Sequence, residues 1–192
     1  MTTYRNIHGR SIKAVATDPT AEVSEGEIWY NTGSDTFKSI LSVEAWSSGG
    51  ALSTARDNLA GAGIQTAALA FGGGAPSTAS GLTEEYGGTS WTAGGALSTA
   101  RKELAGCGTQ TAGLAFGGRT TTLTNATEEY NGSSWTAGGN LGANKYLLAG
   151  VGIQTAGLAF GGNPPPSTTN VSEEYDGSSW TGGGALNTAR RL

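Results

Sequence analysis

Apolar residues in this chain recur as a repeated block. Leu104–Gly118 reads LAGCGTQTAGLAFGG, and near-copies stand at Leu59–Gly73 and Leu148–Gly162. Within the block the apolar positions do not keep the 3.6-residue period of an amphipathic helix. Alanine is a good helix former, so a helix is the competing reading. Each glycine, however, would cost a helix roughly 1 kcal/mol, and every copy carries several. The pattern instead predicts four short strands per unit. In the second unit these are Leu104–Gly108, a tight turn at Thr109-Gln110, Thr111–Gly117 ended by Gly117-Gly118, Thr127–Tyr130, and a fourth strand starting at Trp135. Gly87-Gly88, Asn131-Gly132 and Asp176-Gly177 lie before the fourth strands, and such residues tolerate the positive φ of a hairpin turn.

The larger period is set by Trp46, Trp91, Trp135 and Trp180, spaced by 45, 44 and 45 residues. They divide 46–192 into units 46–90, 91–134 and 135–179 and a partial unit 180–192. A basic residue follows each Trp ten places on: Arg56, Arg101, Lys145 and Arg190. Self-similarity at a period of about 40–50 residues signals a solenoid or a propeller. Tandem units of four antiparallel strands are propeller blades, and closed rings hold about four to eight of them. The expected fold is therefore all-β, with three complete blades and a partial fourth forming an incomplete or oligomer-completed β-propeller. Unpaired edges are an aggregation hazard unless covered. A longer natural protein, association of copies, or an open array capped by the N-terminal segment and neighbouring proteins would each cover them.

Residues 1–45 stand apart from the repeats and hold the only Met and the only His. Ser11–Thr17 reads as a short strand, broken at Asp18-Pro19 because proline pushes its predecessor out of the helical region. Gly26–Leu41 reads as a β-hairpin, with β-formers at Ile28–Tyr30 and Thr36–Ile40 around a turn cluster at Asn31–Asp35.

Composition narrows the functional classes. Gly accounts for 33 of 192 residues, without the three-residue period of collagen. The net charge is −4 with no basic run, so no nucleic-acid footprint is present. One cysteine excludes an intrachain disulfide and a cysteine-based metal cluster. No apolar run reaches the length of a signal-peptide core or a membrane span, so no membrane insertion is expected.

Repetition supplies an internal control on chemistry, since a residue present in every unit is more simply structural than catalytic. Glu84-Glu85, Glu128-Glu129 and Glu173-Glu174 look like paired carboxylates. Neighbours on a strand point to opposite faces, so each pair is expected to split into a partly buried glutamate paired with a repeat arginine and a solvated one. Cys107 takes the slot of Ala62 and Val151 and reads as a small core residue. His8 has no Cys or His companions. No nucleophile elbow or phosphate-binding loop occurs. No catalytic residue, metal ligand or cofactor is assigned, and the chain is expected not to be an enzyme. Trp46, Trp91, Trp135, Trp180, Arg56, Arg101, Arg190, Tyr86, Tyr130 and Tyr175 read as structural repeat positions. What varies between units is the loop before each Glu-Glu: 74–83, 119–127 and 163–172. Variable loops on a fixed scaffold are where binding usually sits, which makes Pro76, Thr78, Arg119, Thr121, Leu123, Pro164, Pro165 and Thr168 the candidate binding residues.

Phe116-Gly117-Gly118, Tyr130, Trp135 and Lys145, like Phe71-Gly72-Gly73, Tyr86, Trp91 and Arg101 before them, resemble the kelch blade pattern. The resemblance covers Trp46–Leu192, and the Ala/Gly-rich first two strands depart from it. The opening GEIWYNTGSDTFK is similar to the start of bacteriophage tail and fibre proteins, in which such a hairpin follows the virion-proximal end. Together the resemblances imply a non-enzymatic virion structural protein, assembled in the bacterial cytoplasm and located in the tail. Residues 1–45 would attach to other virion or tail proteins. The repeats would form a homo-oligomer, a trimer by analogy with fibres, and touch a host-surface glycan or protein. The second reading is a kelch-like adaptor or carbohydrate-binding module outside any virion.

Overall fold

The computed structural model describes residues 13–17, 28–39, 48–75 and 78–192. These form strands, turns and loops, with no helix among them. The chain divides into two compact units, 1–48 and 49–192.

In the first unit, β1 (Lys13–Val15) pairs in parallel with β2 (Ile28–Asn31), which pairs antiparallel with β3 (Thr36–Ser39). The hairpin turn is held by the Asn31 side chain, whose Oδ1 accepts the N–H groups of Gly33 and Ser34. Tyr30 and Phe37 stand opposite each other with ring centroids 5.0 Å apart. Such aromatic cross-strand pairs help fix register.

The second unit holds three antiparallel meander sheets. The first comprises β4 (Asp57–Ile64), β5 (Ala67–Ala75), β7 (Thr83–Tyr86) and β8 (Trp91–Ala93), with the short β6 (Thr78–Ala79) paired to β5. The second runs β9 (Ala105–Gly108), β10 (Gly113–Phe116), β11 (Thr127–Tyr130) and β12 (Trp135–Ala137). The third runs β13 (Ala149–Ile153), β14 (Ala156–Phe160), β15 (Ser172–Tyr175) and β16 (Trp180–Gly182). Successive sheets stack face to face, with first strand against first strand: β4 on β9 and β9 on β13.

Two details differ from the sequence reading. Trp91, Trp135 and Trp180 open the fourth strands of their sheets, as expected, but unit bounds drawn at each Trp fall one strand before the end of the sheet. The stretch 180–192, assigned by spacing to a partial fourth unit, therefore completes and caps the third sheet. The first hairpin turn is also displaced by one residue. It centres on Gln110 and Thr111 and is closed by the Thr109 N–H donating to the Ala112 carbonyl at 3.0 Å. That placement frees the Gln110 side chain to leave the sheet.

The Phe-Gly-Gly signature has a local cause. Gly72 and Gly73 take φ of 69° and 84°. The Gly72 N–H donates to the Leu82 carbonyl of its own sheet, and the Gly73 N–H donates to Arg101 of the linker to the next. A Cβ on Gly72 would lie 2.8 Å from the Arg101 oxygen. Only glycine joins sheet and linker this closely.

The core lies between the sheets. Between the first and second it is built from Leu69, Phe71, Leu97, Leu104, Tyr130 and Trp135. Between the second and third the same positions recur as Leu114, Phe116, Leu141, Leu148, Tyr175 and Trp180. Cys107 is buried there, and burial pushes its thiol up to about 11.

Candidate functional site

The repeat residues build two polar ladders. The first ties each linker to the sheet that follows. Arg56 Nη2 meets Glu84 Oε1 at 2.9 Å, Arg101 Nη2 meets Glu128 Oε1 at 2.9 Å, and Lys145 Nζ meets Glu173. Each of these glutamates also accepts a linker N–H, from Ser53, Ser98 and Gly142 respectively. Burial opposes ionisation of Glu84, but the bonds from Ser53 and Arg56 outweigh it and hold its carboxyl below the usual range. The alternation argument thus finds its buried glutamate in all three pairs.

The second ladder crosses from sheet to sheet. Tyr130 donates its hydroxyl to Glu85 and Tyr175 to Glu129, each at 2.5 Å. Trp135 Nε1 donates to Thr83 Oγ1 and Trp180 Nε1 to Thr127 Oγ1, both at 2.9 Å. Gln110 Nε2 donates to the carbonyls of Ala68 and Tyr86, and Gln154 Nε2 to those of Gly113 and Tyr130. Glu85 and Glu129 are therefore not the solvated carboxylates expected from sequence. Glu174 alone is exposed. Each glutamine lies in the first hairpin turn of its block, and a turn position gives no sign of these bonds.

This second ladder makes stability alkali-sensitive. Burial, reinforced by Glu85, raises the Tyr130 phenol to about 12, and burial with Glu129 does the same for Tyr175. A phenol raised in the folded state contributes its full stability below its unfolded value near 10. That contribution is lost as pH rises through the folded value. Chemical denaturation at stepped pH is expected to show stability falling between about pH 10 and 12, with Tyr130→Phe removing about half of the slope. A flat profile across that window would refute the assignment.

The variable loops are bound in part to the scaffold. Arg119 grips Glu103 with Nε and Nη2, both at 2.6 Å, and lies 5.6 Å from the centre of the Tyr146 ring. The bond to Glu103 raises its pKa further. Its backbone bridges Lys102 on one side and Leu123 on the other. Thr78, Thr121, Pro165 and Thr168 are exposed, whereas Leu123 and Pro164 are half-buried. Pro76 and Trp46 lie outside the described residues.

Of the structural positions, Arg56, Arg101, Tyr130, Tyr175, Trp135 and Trp180 sit in the ladders. Tyr86, Trp91 and Arg190 occupy the equivalent places at the two ends of the array. Trp91 donates to the Gly50 carbonyl at 3.0 Å instead of to a neighbouring sheet. The Tyr86 hydroxyl and the Arg190 guanidinium meet no carboxylate among the described residues. Around Trp91 opens a shallow recess of about 470 Å³ lined by Leu52, Leu59, Gly61 and Ala70. Among the described residues no group of three or more His, Cys, Asp or Glu is placed to hold a metal ion, and no helix is long and apolar enough to cross a membrane.

The chain matches no protein-family model and no curated protein sequence.

Proposed function

We propose that the chain is a non-enzymatic structural protein of a bacteriophage tail or fibre, built of kelch-like blades on an incomplete propeller. Residues 1–45 attach it to other virion proteins. The repeat sheets form a rigid module whose variable loops face a host-surface glycan or protein, and copies associate. The observation that carries this reading is where the buried charge goes: Glu84, Glu128 and Glu173 each serve to clamp a linker onto a sheet. Chemistry spent identically in every repeat suits a scaffold better than an active site. The separate N-terminal unit, with its hairpin at Ile28–Ser39, suits an attachment module.

Deletion of residues 1–45 tests it. Particles assembled with the truncated chain are expected to lack the protein, as read by immunoblot of purified virions. Incorporation at the full-length level overturns the attachment role. Glycan or protein binding retained by a chain that never enters particles would favour the adaptor reading.

A further inference from the structure

The main contacts between the described sheets are made twice, and at either end of the array their halves meet no neighbouring sheet. On the first sheet, Gln65 is exposed and its side chain bonds to nothing among the described residues, though Gln110 and Gln154 each bind two carbonyls of a preceding sheet. The Tyr86 hydroxyl likewise lacks the carboxylate that Tyr130 and Tyr175 have. Gly61 is bare, while Gly106 and Gly150 lie under Phe71 and Phe116 of the preceding sheets. The third sheet carries the missing halves. Glu174 is exposed, and Phe160 and Leu158 are half-buried where Phe116 and Leu114 are fully buried. Val151 is 55% exposed where its counterpart Cys107 is 5% exposed.

We infer that a second copy of this chain docks head to tail, the third sheet of one copy on the first sheet of the next, through the contact already made twice within the chain. The two apolar faces are neither alike nor self-complementary: one presents Phe160, the other the glycine recess that receives it. A heterologous contact of this kind closes a ring or propagates. Two copies bring six repeat sheets, within the roughly four to eight of closed propellers, whereas three bring nine. The contact is therefore expected to close as a pair.

The linkers supply the last element. Residues 183–190 are bound to the third sheet as 94–101 are to the first: Gly183 and Gly94 N–H groups donate to Ser172 and Thr83, and Leu186 and Leu97 to Asn170 and Gly81. Arg190 thus ends where Arg101 ends, one step short of a glutamate. Across the contact that glutamate is Glu84, now held by Arg56 of its own linker. Docking exchanges like for like: the partner copy's Arg190 replaces Arg56 on Glu84. Ser172 Oγ replaces the Gly50 carbonyl on Trp91, and residues 49–56 are released.

This deepens the assembly element of the proposed function and rests on it, not on attachment to a virion. The test is complementation by end-blocked variants, read by sedimentation. The wild-type chain is expected to form pairs, while Phe160→Asp alone and Gly61→Phe alone are expected to be folded monomers. Their equimolar mixture is expected to give a one-to-one dimer, because each retains the half the other lacks. Arg190→Ala is expected to weaken pairing by about tenfold or more, while Arg56→Ala leaves pairing intact. Should Gly61→Phe disturb folding, the double variant Gln65→Ala, Tyr86→Phe replaces it, since those polar groups make no hydrogen bond among the described residues. A wild-type monomer, single variants that still pair, or a mixture that stays monomeric would overturn the contact. A wild-type trimer would overturn the two-copy closure. A monomer that still enters particles through residues 1–45 would sink this inference and leave the virion reading intact.

Discussion

Replacing Arg101 with methionine is expected to lower stability by about 3–5 kcal/mol, the cost of leaving one partner of a buried ion pair alone. Arg101 is fully buried. Its Nη1 donates to the Ala126 carbonyl at 2.7 Å and to Gly117 at 3.3 Å, and its Nη2 donates to Glu128. Burial pulls its pKa down and Glu128 opposes that, but arginine starts so high that the guanidinium is charged throughout. Methionine fills much of the same volume, so the loss reports the charge rather than a cavity. With the cation gone, Glu128 keeps only the Ser98 N–H and hydroxyl, at 2.7 and 2.5 Å. The double variant Arg101→Met, Glu128→Gln is therefore expected to recover much of the loss. The third sheet indicates what lysine does in this place: Lys145 reaches Glu173 but makes no bond to the two carbonyls that Arg101 also satisfies. Arg101→Lys is expected to cost about 1–2 kcal/mol, the scale of one or two lost hydrogen bonds. Urea denaturation of the three variants checks the series. A loss under about 1 kcal/mol for Arg101→Met would mean that the clamp does not hold the linker.

What was legible in the sequence was local or periodic. The strand positions, the hairpin turns and the buried glutamate of each pair follow from alternation and from glycine placement within a few residues. The fourth strand at Trp135 was legible as well, and the pairing of Tyr130 with Trp135 bears it out. Bounds counted from Trp to Trp hid that this strand closes a sheet. The second glutamate is exposed as expected in the third pair, but in the first two, Glu85 and Glu129 are taken up across an interface that the sequence does not reveal. Tyr130 lies 45 residues from Glu85, and alternation along a strand says which face a side chain takes but not what waits across a sheet interface. Gln110 gave no signal because its partners are backbone carbonyls of another sheet. The candidate loops were legible as variable. The tether from Arg119 to Glu103 was not, because Glu103 holds an unusual φ of 56° that residue spacing does not reveal.

The second large effect lies in a glycine whose equivalent at the end of the array is free. Gly106→Val is expected to destabilise the chain by about 3 kcal/mol, the upper part of the range for overpacking. A Cβ there would stand 2.3 Å from Phe71 Cζ and 2.8 Å from the Leu114 carbonyl oxygen. Phe71 is fully buried and cannot swing aside, and the carbonyl belongs to the paired strand β10. Gly150 is in the same position under Phe116, at 2.4 Å. At Gly61 the same substitution meets only the Leu69 carbonyl, at 3.3 Å. In the unpaired Phe160→Asp background, Gly61→Val is thus expected to change stability by no more than about 0.5 kcal/mol, since a β-branched residue suits an exposed strand position. The contrast between chemically identical substitutions separates the conformational cost of losing glycine from the packing of one sheet on the next. Phe71→Ala combined with Gly106→Val should fall short of the summed single losses, because loss of the Phe71 ring leaves the room that the valine needs. Equal losses at Gly106 and Gly61 would mean that glycine serves the strand itself and not the interface. If the sheets stack as described, only the covered position responds, and the bare one is left to report on what docks against it.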